Sequence, residues 1–368
     1  VSPYSPVTRL FRDPLYLDLT ETPEWEESHE ARRLFEEGES GHERERLVAA
    51  DRIDYERADA LRRPIVEALW RRFQTRHREP RDERGRAFEQ FVRDGGETLT
   101  DFATFRVLEE QMIRSDRPRD HRRWPAEYRS PRAEAVRRLR ERESDAVGRV
   151  LWELFELDRQ LARVDHEARA AGLSLGLYQD LALGCDPGGF DLWAFPDGFV
   201  EGVTLGAPPD DYAASGQDWG LPPLHPWNIG ASDFAFFRRV LRAALAHAGM
   251  LRIDHALGLL RQWWVPEDRS ATEGVYVRFP ASALLSVIAE ESRRAGAVIV
   301  GEDLGTVPRG FGALLARHGA LSCSVLLFER DRSGGFRPAS AYSPRALSTA
   351  NTHDHPPLAG WWSGRDLE

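Results

Sequence analysis

Three short acidic peptides follow apolar runs of the sequence and contain the residues best suited to chemistry. They are residues 251–255 (Leu-Arg-Ile-Asp-His), 300–305 (Val-Gly-Glu-Asp-Leu-Gly) and 351–355 (Asn-Thr-His-Asp-His). Each run is expected to place an acid at the C-terminal end of a strand, where the catalytic groups of parallel barrels converge. Three converging acids can supply a nucleophile, a proton donor and a further stabiliser, the set that suggests glycosyl transfer.

Alternating helix and strand patterns are expected to position these peptides. Apolar residues recur at helical spacing over residues 147–164, and further helices are predicted over 233–247 and from a Ser282 cap to residue 294. Short apolar runs predict strands at 173–178, 250–253, 297–300 and 321–328. This alternation over about 200 residues favours a parallel α/β sheet or barrel.

The N-terminal part of the chain has a different character. Residues 1–20 are predicted to form a loop and a short strand at 15–19. Residues 21–145 are rich in Arg and Glu and predict helices, such as 65–76 with Pro64 in its first turn, and 132–143. We interpret this part as a helical insertion whose charge runs are solvated faces.

One long segment, residues 206–227, is predicted to be a functional loop. It contains several prolines and glycines together with Tyr212 and Trp219. Long loops in compact domains are usually lids or binding loops. The two aromatic side chains can stack on sugar faces, or they can simply fix the loop to the rest of the domain.

Composition excludes several classes of function. The 368 residues suit one large domain with an insertion, or two domains. A net charge of −10 and a pI of about 5.7 disfavour nucleic-acid binding, and all the basic residues counted are Arg. No apolar run reaches the length of a membrane span. The two cysteines, Cys185 and Cys323, indicate a reducing compartment and argue against a disulfide scaffold or a zinc site.

Taken together and in order, the motifs resemble the amylomaltases, the 4-α-glucanotransferases of glycoside hydrolase family 77. The resemblance rests on residues 2–4, 176–182, 206–223, 252–255, 301–305 and 352–354. Residues 258–264 and 353–360 are similar to the enterobacterial branch in particular. The resemblance covers nearly the whole chain and is clearest after residue 145.

The resemblance implies a role for each acid. Asp254 matches the nucleophile that forms the covalent glycosyl-enzyme, Glu302 matches the general acid/base, and Asp354 matches the acid that supports the distorted transition state. Retaining chemistry of this kind needs an ionised and a protonated carboxyl group about 5–5.5 Å apart. Arg252 lies two residues before Asp254, on the same side of the strand, and its charge favours the ionised nucleophile.

Further residues are expected to bind the sugar. His255 and His353 are expected to hydrogen-bond sugar hydroxyls without titrating. Asp180, Asp191 and Asp197 are weaker candidates for acceptor-side or structural roles. The full predicted substrate-binding set is Arg252, His255, His353, Tyr212, Trp219, Tyr4 and Asp180. No metal and no cofactor are expected.

The family fold implied is a (β/α)₈ TIM-type barrel with a helical insertion. In this interpretation residues 1–20 are a barrel-proximal N-terminal segment, 21–145 the helical insertion subdomain and 146–368 an incomplete catalytic barrel. Family members carry barrel sequence before the first motif and after the last. We therefore expect a barrel truncated at both ends, as an excerpt of a longer protein.

The resemblance implies a cytoplasmic enzyme that transfers α-1,4-glucan segments. Donors are maltodextrins or starch-derived α-1,4-glucans, acceptors include glucose or maltose, and neither nucleic acid nor a membrane is an expected partner. Two alternatives stay open from the sequence: an α-1,4-glucan hydrolase of the α-amylase group that uses the same acids, and a non-catalytic glucan-binding fragment.

Overall fold

The computed structural model describes residues 3–36, 39–210, 213–231, 233–354 and 357–364. Its internal contacts divide the chain into two compact units. Unit 1 comprises Val1–Glu167 and Cys185–Pro196, and unit 2 comprises Ala168–Gly184 and Asp197–Glu368. Residues 21–145, the predicted helical insertion, fall within unit 1. Within the described ranges, the structure contains no helix that is long and apolar enough to span a membrane.

Helices build unit 1. They are α1 (Pro23–Glu27), α2 (His29–Glu36), α3 (Glu39–Val48), α4 (Tyr55–Phe73), α5 (Glu83–Arg114), α6 (Glu134–Arg142), α7 (Ser144–Ala170, of which residues 168–170 belong to unit 2) and α8 (Phe190–Ala194). Aspartates begin two of the longest: Asp54 Oδ1 accepts the Arg57 N–H at 3.0 Å, and Asp82 Oδ1 accepts the Gly85 N–H at 2.9 Å. The first N–H groups of a helix lack intrahelical partners, so these side chains fix where α4 and α5 begin.

The core of unit 1 combines packed aromatic rings with buried ion pairs. Neighbouring rings belong to Trp70, Phe73, Phe88 and Trp152. Arg84 binds both oxygens of buried Glu24, at 2.8 and 3.0 Å, and reaches buried Glu156 Oε1 at 2.5 Å. Both of these buried carboxylates therefore have a guanidinium partner, which burial of charge requires.

Two predictions for unit 1 are wrong. Residues 15–19 do not form a strand: Asp13 and Asp18 instead cap two 3₁₀ turns, Pro14–Tyr16 and Leu19–Glu21. Pro64 is not in the first turn of its helix but inside α4, which begins earlier because Asp54 caps it.

Unit 2 contains parallel strands alternating with helices. Strands β1 (Tyr178–Leu181), β4 (Met250–Ile253) and β7 (Val298–Gly301) form a parallel sheet in that order. Strands β8 (Ser322–Val325) and β9 (Ala346–Thr349) also pair in parallel, and a parallel bridge between Val300 and Leu321 connects β7 to the residue before β8. The helices are α9 (Asn228–Ala231), α10 (Ala235–Leu245), α11 (Ala281–Ala295), α12 (Phe311–Arg317) and α13 (Leu358–Ser363). This confirms the predicted parallel α/β arrangement.

A second, antiparallel sheet includes part of the segment that was predicted to be a loop. Strands β2 (Val203–Ala207), β3 (Gln217–Leu221), β5 (Arg261–Pro266) and β6 (Val275–Arg278) pair in the order β3-β2-β5-β6. The prediction of one long functional loop over residues 206–227 is therefore wrong in part, because residues 206–207 and 217–221 belong to the paired strands β2 and β3.

Three boundaries in unit 2 also differ from the predictions. The predicted strand at residues 173–178 begins only at Tyr178, and Leu173 and Leu175 are exposed. Ser282 does not cap α11, because the chain enters that helix at Pro280. The predicted strand at 321–328 ends at Val325, where the chain tightens into a 3₁₀ turn.

Candidate active site

Asp254 and Glu302 follow neighbouring parallel strands at the same level. Ile253 at the end of β4 is paired with Gly301 at the end of β7. The ladder continues one residue further, because the Glu302 N–H donates to the Ile253 carbonyl at 3.0 Å. Adjacent strands lie about 4.8 Å apart and paired residues point to the same side. The two carboxyl groups therefore begin from adjacent backbone positions at the carboxyl edge of the sheet.

Ala256 packs so closely on the end of β7 that the residue before Glu302 is a glycine, Gly301. The Ala256 N–H donates to the Glu302 carbonyl at 2.8 Å, so the turn after β4 lies directly on the end of β7. A Cβ at Gly301 would lie 3.1 Å from the Ala256 Cβ and 3.0 Å from a Leu315 methyl. A side chain at position 301 would thus require Ala256 and Leu315 to shift.

Arg252 contacts three carboxylates. It is paired with Asp180 across β1 and β4, and its Nη1 lies 2.9 Å from both Asp180 oxygens. The same Nη1 is 2.8 Å from Asp254 Oδ1, and Nη2 is 3.7 Å from Asp354 Oδ2. Burial acts to lower the pKa of Arg252, but the Asp180 and Asp254 carboxylates outweigh it and raise the pKa. Arg252 therefore stays positively charged and holds the three carboxylates close together.

Glu302 is held by backbone N–H groups. Its side chain is buried, with Oε2 accepting the His255 N–H at 2.9 Å and Oε1 accepting the Leu304 N–H at 2.7 Å. Burial raises the pKa of Glu302, and the charge of Asp254 adds to this, while the two N–H bonds oppose it. A carboxyl group with a raised pKa beside a charged carboxylate is suited to donate a proton.

The third acidic peptide reaches the same cluster from beyond β9. Besides the Asp354–Arg252 contact, His353 Nε2 lies 3.6 Å from Asp180 Oδ2. The Thr352 hydroxyl donates to Asp354 Oδ2 at 3.3 Å. Asp354 and His353 are both partly exposed, so they line the open side of the cluster.

Trp219 reaches His255 from strand β3. The two rings meet edge to face with their centroids 5.3 Å apart, and the Trp219 Nε1–H donates to Gln217 Oε1 at 3.0 Å. Burial lowers the pKa of His255, and the charge of Asp254 opposes this shift.

The sequence profile of the family described as 4-alpha-glucanotransferase, glycoside hydrolase family 77, matches residues 1–368. The chain belongs to this family. A 4-alpha-glucanotransferase from Mycobacterium tuberculosis is 39% identical over 99% of this chain and 49% of its own length. One from Haemophilus influenzae is 33% identical over 100% of this chain and 53% of its own length. The chain thus spans about half the length of these relatives.

Solved structures of amylomaltases share the fold. The crystal structure of amylomaltase from Corynebacterium glutamicum superposes with a TM-score of 0.83 at 33% identity, over 99% of this chain and 48% of that one. Amylomaltase from Streptococcus agalactiae, solved in complex with acarbose, gives a TM-score of 0.79 at 20% identity, over 98% of this chain and 71% of that one. The latter likeness concerns the fold alone.

The structure brings together most of the residues that the family resemblance implied. The cluster in unit 2 contains Asp180, Trp219, Arg252, Asp254, His255, Glu302, His353 and Asp354. Tyr4 belongs to unit 1 and is exposed there, and Tyr212 lies outside the described residues. Their roles stay predictions.

Two of the weaker acidic candidates have other surroundings. Asp191 is fully buried in unit 1, where it accepts the Thr8 hydroxyl at 2.6 Å and the Arg9 N–H at 3.1 Å. These bonds indicate a structural role in the N-terminal segment. Asp197 lies in a 3₁₀ turn of unit 2, and its carbonyl accepts a bond from the Asn228 side chain at 2.8 Å.

The sequence reasoning missed two residues that border the cluster. Burial raises the pKa of Cys323, with the Glu302 charge as the next cause, and burial raises the pKa of Tyr178 to about 12. Tyr178 lies two residues before Asp180 on β1, so strand alternation alone could have placed it on the same face. No comparable signal marks Cys323, because its position depends on the bridge that brings β8 to β7.

Proposed function

We propose that the protein is a 4-α-glucanotransferase that moves α-1,4-glucan segments between maltodextrins with retention of configuration. The observation that carries the proposal is the pairing of Asp254 and Glu302 at adjacent strand ends, joined to Arg252 and the His255 N–H. Neighbouring strands about 4.8 Å apart suit the carboxyl separation of about 5–5.5 Å in retaining enzymes. The family membership supports the same activity.

In the first half of the reaction, Asp254 attacks the anomeric carbon and forms a covalent glycosyl-enzyme. The bond to the leaving glycosidic oxygen breaks, and Glu302 gives its proton to that oxygen. The Arg252 Nη1 contact at 2.8 Å from Asp254 Oδ1 holds the attacking carboxylate in place for this step. The raised pKa of buried Glu302 supports its role as the proton donor.

In the second half, Glu302 acts as the base. It takes the proton of an acceptor 4-hydroxyl, whose oxygen attacks the anomeric carbon and releases the Asp254 carboxylate. The charge of Asp354 supports the oxocarbenium-like transition states of both halves, and its contact with Arg252 agrees with a place beside the sugar ring. We assign sugar-hydroxyl binding to His255, His353 and Asp180.

The remaining assignments concern the wider architecture. We propose that residues 146–368 form part of a (β/α)₈ barrel and that 21–145 form its helical insertion. The parallel order β1-β4-β7 and the bridge towards β8 support the barrel. Trp219 and Tyr212 are proposed as sugar-stacking residues, and the contact of Trp219 with His255 supports this for Trp219.

We also propose the partners and the compartment. Donors are maltodextrins or starch-derived α-1,4-glucans, and acceptors are glucose, maltose or longer dextrins. The two free thiols, Cys185 and Cys323, support a reducing location such as the cytoplasm.

A disproportionation assay tests the activity. The protein as its gene encodes it is incubated with maltotriose, and products are separated by chain length while reducing ends are counted. A transferase gives glucose and a ladder of longer dextrins with a constant number of reducing ends. Rising reducing ends would identify a hydrolase, and unchanged maltotriose that still binds would contradict catalysis.

A further inference from the structure

His255 has a backbone conformation that its side chain disfavours. Its φ of 44° and ψ of 56° lie in the left-handed region, directly after Asp254 at the end of β4. Residues with a Cβ rarely adopt this region, although His does so more often than most. Such outliers persist where the surrounding structure over-determines them.

The left-handed turn directs two successive N–H groups at one residue. The His255 N–H donates to Glu302 Oε2 at 2.9 Å, and the Ala256 N–H donates to the Glu302 carbonyl at 2.8 Å. Successive N–H groups around such a turn form a concavity that suits an anion. Here the group they hold is the carboxyl side chain and main chain of Glu302.

Two contacts and one missing side chain keep His255 in this conformation. The Trp219 ring packs against the imidazole with centroids 5.3 Å apart, and the Gly258 N–H donates to the His255 carbonyl at 2.8 Å. Because Gly301 has no side chain, Ala256 can pack against the end of β7. The Trp219 ring, the Gly258 N–H and the close packing on β7 therefore hold the turn in place.

We infer that His255 is a positioning residue for the acid/base Glu302, acting through its left-handed backbone rather than only through its imidazole. This inference rests on the proposed function of Glu302. The N–H bond fixes the direction of Oε2 in both halves of the reaction. It also stabilises ionised Glu302, the form that must accept the proton of the acceptor hydroxyl.

A pair of substitutions separates the backbone from the ring. His255→Gly and His255→Ala both remove the imidazole, but only alanine brings a Cβ that disfavours the left-handed region. Single-turnover glycosylation is measured with maltotriose and with a maltosyl fluoride, whose leaving group needs little protonation. Circular dichroism and thermal unfolding establish that both variants are folded.

We expect His255→Ala to be about tenfold slower than His255→Gly with maltotriose and equal to it with the fluoride. Displacing the N–H removes stabilisation of ionised Glu302, so the alkaline limb of the pH–rate profile should lie at higher pH in His255→Ala than in His255→Gly. Equal rates and equal pH profiles for the two folded variants would overturn the inference. If His255→Ala does not fold, His255→Asn against His255→Gln gives the same comparison, because Asn tolerates the left-handed region.

Substitution of Trp219 provides a second test of the positioning role of His255. If its ring acts through His255, Trp219→Ala should shift the alkaline limb upward in the wild-type background but not in the His255→Gly background, since glycine needs no support. Equal shifts in both backgrounds would contradict this part.

A titration without turnover separates this inference from the proposed function. The Glu302 carboxyl is titrated by difference infrared spectroscopy, with Glu302→Gln as the reference that identifies its band. A higher pKa of Glu302 in His255→Ala than in His255→Gly supports the positioning role even if the wild-type protein transfers no glucan. An identical titration overturns it.

Discussion

Glu291 on α11 and Glu302 after β7 are both buried in unit 2, with 2% and 8% of each residue exposed, yet the two regions treat the carboxyl group in opposite ways. Arginine side chains surround Glu291: Arg242 Nη2 lies at 2.8 Å and Arg294 Nε at 2.6 Å. Glu302 is held instead by the N–H groups of His255 and Leu304. The α10–α11 region thus neutralises its glutamate, whereas the strand-end region does not.

The pKa shifts follow from this difference. Hydrogen bonds from Arg242 lower the pKa of Glu291 to about 2. Burial raises the pKa of Glu302, and the Asp254 charge contributes in the same direction. A buried glutamate is thus not in itself a sign of catalysis, because the charge of its partners decides whether it stabilises the fold or stands ready to donate a proton.

The largest effect is expected at Asp254. Asp254→Asn removes the proposed nucleophile, and we expect transfer to fall by about five decades, equivalent to about 7 kcal/mol of barrier. Glucan binding should persist, because the amide keeps the shape of the side chain. The measurements are maltotriose disproportionation and calorimetric binding of maltodextrin.

Asp303→Asn is the matched control. Asp303 Oδ1 accepts the Cys323 N–H at 2.9 Å, a bond that an amide oxygen can keep, so activity should change less than tenfold. Near-normal turnover of Asp254→Asn, or an equal loss in both variants, would contradict the assignment of the nucleophile.

The two glutamates themselves supply the next test. Glu302→Gln should slow maltotriose cleavage by about 10²–10⁴-fold, but should hardly slow the first-turnover release of fluoride from an activated glycosyl fluoride. Glu291→Gln should leave both rates unchanged at a temperature where the variant is folded. Should Glu302→Gln slow both substrates equally, Glu302 would not be the general acid.

An Arg→Lys pair extends the comparison to the cations. Arg252 serves several acids at once, a geometry that a lysine cannot reproduce, so Arg252→Lys should cost about 10²-fold in kcat/KM through misplacement of the acids. Arg242→Lys in the α10–α11 region should leave kcat/KM unchanged. Steady-state kinetics on both variants decides this. Equal losses of kcat/KM in the two variants would contradict the proposal that Arg252, unlike Arg242, positions the catalytic acids.

The smallest effect concerns stability against pH. The folded-state pKa of Glu291 lies below its ordinary value of 4.5, so its stabilisation is present above about pH 4.5 and is lost as the pH falls towards 2. Glu291→Gln should therefore unfold more easily than wild type near pH 6, with the gap closing at low pH. The pKa of Glu302 is raised, so the contribution of this residue to wild-type stability is lost as the pH rises. The stability of Glu302→Gln relative to wild type should therefore increase with pH. Urea unfolding over this pH range measures both slopes.

The sequence was sufficient for the framework of the site but not for its finer geometry. Apolar runs ending in Asp254 and Glu302 predicted acids at strand ends, because strand patterns are local. The left-handed His255 was not predictable in this way, since positive φ is usually signalled by glycine. The β2–β3 pair was missed because glycine, proline and aspartate dominate residues 206–223 and mask the strand pattern.

Trapping of the glycosyl-enzyme tests the division of labour between Asp254 and Glu302 most directly. Glu302→Gln protein is mixed with a maltosyl fluoride that lacks the acceptor 4-hydroxyl, quenched in acid and digested for mass spectrometry. We expect a burst of fluoride and a maltosyl adduct on Asp254, because the activated donor still glycosylates Asp254 while the proposed base for the second step is missing. An adduct on Asp180 or Asp354, or a burst of fluoride without an adduct on Asp254, would contradict it.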